Sequence, residues 1–167
     1  MGFVEKIEHF FLETVGEELC VFLCAMLPII ECRGAVPLGA VIGLPWWQTF
    51  LLAIVGNLLP VPFILIFIRS FLKWMTRSRI KFFNKIGNWL NEKVEKHKGK
   101  IEKYSYLGVL LFVALPVPGT GAWTGALIAA LMNMRLKDAL PSITLGVVTA
   151  GIIVTILSLL VPNILGF

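Results

Sequence analysis

Glu31 and Arg33 are the only charged residues between Leu19 and Ile68, and they lie two residues apart in the segment PIIECRGAVP, Pro28–Pro37. A charge at the centre of a bilayer costs about 3 kcal/mol on insertion scales, so it persists where it is paired or faces a cavity. Gly34 and Pro37 follow the pair, residues that interrupt a continuous helix. Arg33 offers a permanent cation with a planar donor fork suited to phosphate. Burial disfavours charge on Glu31 while Arg33 restores it, which makes the acid a candidate for loading and releasing a proton. The alternative is a charge pair that closes a loop at the membrane surface. Depth separates the two.

A second set of candidates lies in PVPGTGAWTG, Pro116–Gly125. Pro116 and Pro118 break a helix, and Gly119 and Gly121 let backbone approach a ligand closely. A half-helix opening near Ala122, like one near Ala35, would present unpaired N–H groups and a positive dipole end to an anion. Thr120 and Thr124 add hydroxyls, and Trp123 forms a wide apolar wall. Asn57, beside Gly56 and ahead of Pro60 and Pro62, places one polar group in a kinked helix, facing either a site or a neighbouring helix.

The elements that carry these residues follow from composition and from run lengths. The chain has 167 residues, 57% hydrophobic and 15% charged, which excludes an ordinary soluble domain and indicates an all-α integral membrane protein. Its first 18 residues hold five glutamates and one lysine and do not read as a secretory signal. Cys20, Cys24 and Cys32 form no disulfide or metal pattern and read as small core residues. Three runs carry no charge: 34–68, 104–134 and 139–167. The second is too long for one crossing and too short for two, with its proline–glycine cluster at the centre. It reads as a re-entrant hairpin, residues 104–134, and residues 19–45 repeat the design. Each is followed by a span, 48–68 and 139–162. Leu27–Gly43 can be laid beside Leu115–Leu131, so the expectation is an inverted repeat of two re-entrant hairpins, each followed by a transmembrane helix.

Residues 69–103 hold 11 of the 15 lysines and arginines, which places this segment in the cytoplasm. Its apolar residues recur at helical spacing, as in an amphipathic helix lying on an anionic inner leaflet. Residues 1–18 read as a second interfacial helix. Trp46, Trp47, Tyr104 and Tyr106 are expected as interfacial anchors, and His9 and His97 as solvated.

The motifs ECRGAVP, Glu31–Pro37, and PVPGTGAWTG resemble those of the small multidrug export protein family, a distant relative of the DedA, or VTT-domain, membrane proteins. The resemblance covers nearly the whole chain. It implies paired re-entrant hairpins, a prokaryotic cell membrane, and either drug export or the transport of lipids such as polyprenyl-phosphate carriers coupled to an ion gradient. Three functions stay open. An anionic amphiphile, lipid-phosphate-like, is moved with Arg33 binding and Glu31 gating; a cationic drug exchanges for protons at Glu31; or the hairpins pack as a scaffold. Without a carboxylate pair, a metal cluster or a histidine at depth, an enzyme is not expected. No cofactor beyond a proton or ion gradient and no nucleic acid is expected, while the small embedded mass allows a homo-oligomer.

Overall fold

The computed structural model describes residues 16–77, 98–117 and 119–165, together with Gly2, Glu5 and Ile7. The expected interfacial helix 1–18 therefore falls mostly outside the described residues, as do His9, His97, Pro118 and the centre of the basic segment. Among the described residues all regular structure is helical. In chain order the helices are α1 (Glu17–Met26), α2 (Glu31–Val41), α3 (Trp46–Leu58), α4 (Val61–Arg77), α5 (Lys98–Ala114), α6 (Ala122–Leu131) and α7 (Leu136–Leu165).

Two stretches, Trp46–Phe71 taken through its turn and Leu136–Leu160, are long and apolar enough to cross a bilayer. The helices α1, α2 and α6 have 10, 11 and 10 residues. At 1.5 Å per residue each reaches about 15–17 Å, half of the hydrocarbon thickness. The order of helix, break, short helix, tight turn and long apolar stretch occurs twice, although the opening helix of the second half, α5, has 17 residues against the 10 of α1. Both tight turns use the same device. Gly43 and Asn133 take the left-handed conformation just past the ends of α2 and α6, with φ of 86° and 54°. Leu44 and Met134 then donate back to the carbonyls of Gly39 and Ala129, both at 3.0 Å, so two helix ends keep their carbonyls satisfied.

The first break differs from the sequence expectation. α1 stops at Met26 and α2 begins at Glu31, so the interruption is Leu27–Ile30, one residue either side of Pro28 and Ile29. Gly34 and Pro37 lie inside α2 and interrupt nothing. The physical reason is that Pro28 already ends the preceding helix, and a proline at position 37 deletes only the bond that would go to the Arg33 carbonyl. The second restart falls at Ala122, where the sequence places it. The first long stretch is divided at Leu59–Pro60, because Pro60 and Pro62 withdraw two N–H groups within one turn.

That division redirects the chain. α1, α2 and α3 pack on one another, and α5, α6 and α7 do likewise, whereas α4 makes its main contact with α6. The core is built of small and branched residues: Cys20, Cys24, Ala25, Ala35, Ala53, Leu65, Val113, Ala126, Ala129, Ile143 and Val147. Small residues let helices approach closely enough for dispersion to hold them where lipid competes for every apolar surface. Large apolar side chains point outward instead, among them Phe63, Phe67 and Leu111 at 68%, 70% and 61% exposure. Such a surface suits lipid rather than water. Trp46 and Trp47 are exposed at the start of α3.

Candidate functional site

The two breaks meet, and each supplies what the other lacks. α5 ends before Pro116, which has no N–H with which to continue the helix, so carbonyls near its terminus are left over. Arg33 takes them. Its Nη2 donates to the carbonyls of Val113 and Leu115 at 3.1 and 2.7 Å and to Thr120 Oγ1 at 3.1 Å. A cation at a helix C-terminus is also favoured by the dipole. The Thr120 hydroxyl in turn lies 2.8 Å from the carbonyls of Leu115 and Val117, which tightens the second break around the guanidinium.

α6 has the opposite need. Its N-cap is Gly121, which has no side chain with which to cap the first N–H groups. Glu31 fills that role from the other half of the chain. Its Oε1 accepts from the main-chain N–H of Trp123 at 3.5 Å, and its Oε2 accepts from Arg33 Nη1 at 3.0 Å. A Cβ on Gly121 would overlap the Glu31 carboxylate, so glycine there is what lets the acid reach the helix end. Glu31 itself holds φ of 54°, a left-handed conformation that is uncommon for a residue with a side chain. Such strain persists only where surrounding contacts over-determine it, and here the ion pair and the helix end do so.

Trp123 closes the exchange. Its indole N–H donates to the carbonyl of Met26, the last residue of α1, at 3.1 Å. The first half thus caps both ends of the second break, and the second half caps the end of α1. We call this set of contacts the clasp. The side chains of Glu31 and Arg33 are 7% and 14% exposed, so the pair is almost out of reach of solvent.

A cleft of about 590 Å³ opens between α4 and α6, lined by Phe63, Ile64, Phe67, Ile68, Trp123, Thr124 and Leu127. Its walls are almost wholly apolar. Trp123 and Thr124 belong to it, and Trp123 belongs to the clasp as well.

The structure therefore brings Glu31, Arg33, Pro116, Thr120, Gly121 and Trp123 together at the junction of the breaks, with Thr124 in the cleft. Gly119 lies in the second break at φ of 86°. Gly34 and Pro37 stand in α2, away from the interruption itself. Asn57 is 1% exposed on α3, beside the Cys32 thiol, and neither its Nδ2 nor its Oδ1 has a partner that meets hydrogen-bond geometry. Sequence reasoning left out the cleft residues of α4, Phe63 and Phe67. Their signal was a pair of phenylalanines four apart in a helix interrupted by prolines, but an outward face for lipid has the same spacing. Among the described residues no group of histidine, cysteine or acidic side chains could hold a metal ion.

A family model described as "Putative small multi-drug export protein" matches residues 31–153, a range that contains every helix lining the cleft and all of the clasp except the Met26 carbonyl. The chain matches no curated protein and no solved structure.

Proposed function

The chain belongs to the small multi-drug export protein family, a family of membrane transporters by its name, and from that premise we propose that it moves an amphiphile across the bilayer with the clasp as its gate. The observation that carries this reading is the double membership of Trp123, which lines the apolar cleft and is held by Glu31 through its own N–H. An amphiphile lodging its apolar body against Trp123 would disturb the contact that joins the two halves of the chain.

The headgroup we assign is anionic and lipid-phosphate-like. The junction is an anion site already occupied: a carboxylate rests between a guanidinium and a helix N-terminus, the two features that bind phosphate elsewhere. Protonation of Glu31 would weaken its hold on both, and a substrate phosphate could then take its place on Arg33 and the Trp123 N–H. Uptake of a proton and of an anion become two sides of one exchange. The re-entrant, inverted arrangement of the halves would let that exchange face each membrane surface in turn. The resemblance to DedA proteins points toward the same substrate class.

A second reading keeps a specific observation in its favour. Phe63, Phe67 and Trp123 put three aromatic rings in the cleft lining, a setting that attracts cations, and the Glu31 carboxylate contacts Trp123. That reading makes the substrate a cationic drug exchanged for protons.

Reconstitution into liposomes with an imposed pH gradient separates the two. On the first reading a fluorescent lipid phosphate crosses and a cationic dye does not. Glu31→Gln keeps the movement but loses its dependence on pH. Movement of the dye alone, abolished by Glu31→Gln, would favour the second reading. If neither moves in the parent protein, the transport reading fails and the clasp is a packing device.

A further inference from the structure

The far end of α4 carries a charge that the clasp does not use. Arg69 follows Val61 and Leu65 at four-residue spacing, so it leaves the helix on the flank that those residues bury, at 1% and 0% exposure. Its Nε and Nη2 are closed off from solvent, and neither has a hydrogen-bond partner. A guanidinium does not lose its charge in a protein, and its donors cannot be left without acceptors at low cost. The unpartnered pair is informative in itself. Nε and Nη2 form the side-on edge of the fork, the edge that grips two oxygens of a phosphate or carboxylate at once.

Two neighbouring features say where those oxygens come from. Lys73 continues from Arg69 at the same spacing and further lysines and arginines follow in the sequence, a basic run where a membrane helix meets an anionic leaflet. The adjoining flank of α4 holds the apolar cleft, whose last α4 residue is Ile68, and one turn further Phe71 and Trp74 stack with ring centroids 5.8 Å apart. The helix end therefore offers a charge for a headgroup, an apolar cleft for a chain and a stacked pair of aromatic rings close by.

We infer that Arg69, half-buried as a residue, is the headgroup site for an anionic phospholipid: its flexible stem turns outward and brings the side-on edge, covered in the lipid-free chain, onto the phosphate, while an acyl chain lies along the cleft flank of α4. A free phosphate shares the headgroup chemistry but brings no chain. The site is distinct from the clasp and does not require that the protein transport anything.

The test uses the full chain purified in a neutral detergent, with phosphatidylglycerol or phosphatidylcholine of the same chain length added back. Retained lipid is counted by native mass spectrometry, and thermal unfolding is followed in parallel. The parent should retain phosphatidylglycerol in preference and be stabilised by it. Arg69→Leu should lower that preference about ten-fold, the worth of one charge-assisted contact. Without lipid, Arg69→Leu should be as stable as the parent or more so, because an unsatisfied cation has gone. Arg135→Leu removes the same charge from an exposed position already paired with Asp138 and should keep the preference. Inorganic phosphate at millimolar concentration should protect neither protein. Equal retention of the two lipids by the parent would overturn the site. So would an Arg69→Leu protein that unfolds earlier without lipid yet keeps the preference, since Arg69 would then be held by the chain itself. Protection by inorganic phosphate as strong as that by phosphatidylglycerol would overturn the lipid as its source.

Discussion

Replacing Gly121 by alanine tests the clasp with the smallest possible perturbation. Gly121 has φ of −82°, so the backbone accepts an alanine without strain. The added methyl overlaps the Glu31 carboxylate, which must then move. Moving it lengthens the bond to Arg33 Nη1 and removes the negative charge from the start of α6. The first is a charge-assisted contact worth about 1.5–3 kcal/mol, and the second adds about 0.3–1 kcal/mol. Alanine returns about 0.5 kcal/mol by narrowing the unfolded ensemble. The net cost is about 1.3–3.5 kcal/mol, or roughly 3–14 °C in Tm for a chain of this length. The decisive measurement is a double-mutant cycle in detergent or bicelles. In a Glu31→Ala background the carboxylate is absent, so Gly121→Ala should cost nothing and gain slightly. Gly119→Ala serves as the contrast. It sits at φ of 86° with nothing within 4 Å of a new Cβ, so its cost of about 1 kcal/mol comes from the backbone and should be the same with or without Glu31. If Gly121→Ala costs equally in both backgrounds, the acid does not rest on that glycine and the reciprocal capping is wrong.

Trp123→Phe keeps the apolar wall but deletes the donor to the Met26 carbonyl, and should lower Tm by about 2–4 °C; an unchanged Tm would show that this contact contributes nothing. Asn57→Leu replaces a buried amide that lacks partners and should raise Tm by about 2–6 °C. A fall would mean that water or another group satisfies Asn57. Single cysteines at Gln48 and near Phe167 should react with impermeant reagent from outside, and those at Ser105 and Lys137 from the cytoplasm. If position 137 reacts from outside while 105 reacts from within, residues 104–134 cross the membrane and are not re-entrant.

Membership in an all-helical membrane class was legible because a charge-free run must either cross a bilayer or turn within it. The second restart was legible too, since two prolines and two glycines within six residues leave α6 no earlier place to begin. The first was misplaced because Gly34 and Pro37 look like breakers in sequence, yet this helix tolerates two glycines and one absent N–H once its start is fixed from outside. What fixes it is Glu31, held by Arg33 and Trp123, and a contact between residues 92 positions apart leaves no local trace. For the same reason the sequence identifies Arg33 as a cation with a fork but not the carbonyls that occupy the fork. The cleft is hidden for a different reason: α4 changes partners at Pro60, and nothing in its own periodicity says that it will pack on α6.

A broken helix inside a bilayer leaves carbonyls at one end and N–H groups at the other, and lipid satisfies neither. This chain breaks two helices and lets each break complete the other, with Arg33 on the Val113 and Leu115 carbonyls at the end of α5, Glu31 on the Trp123 N–H at the start of α6 and Trp123 on the end of α1. Such an arrangement is stable only while the two halves stay in register, because separating them exposes three helix ends and an ion pair together. Pieces so coupled favour two discrete states over gradual loosening. A ligand able to supply the same groups, an anion for Arg33 and the start of α6, would lower the cost of separation by what it replaces and by nothing more. On the proposed reading Glu31 is both the lock and the competitor. An anionic substrate should bind more tightly to a Glu31→Gln protein than to the parent, whereas a cationic one should bind less tightly, so the sign of that single change reports which charge the site receives.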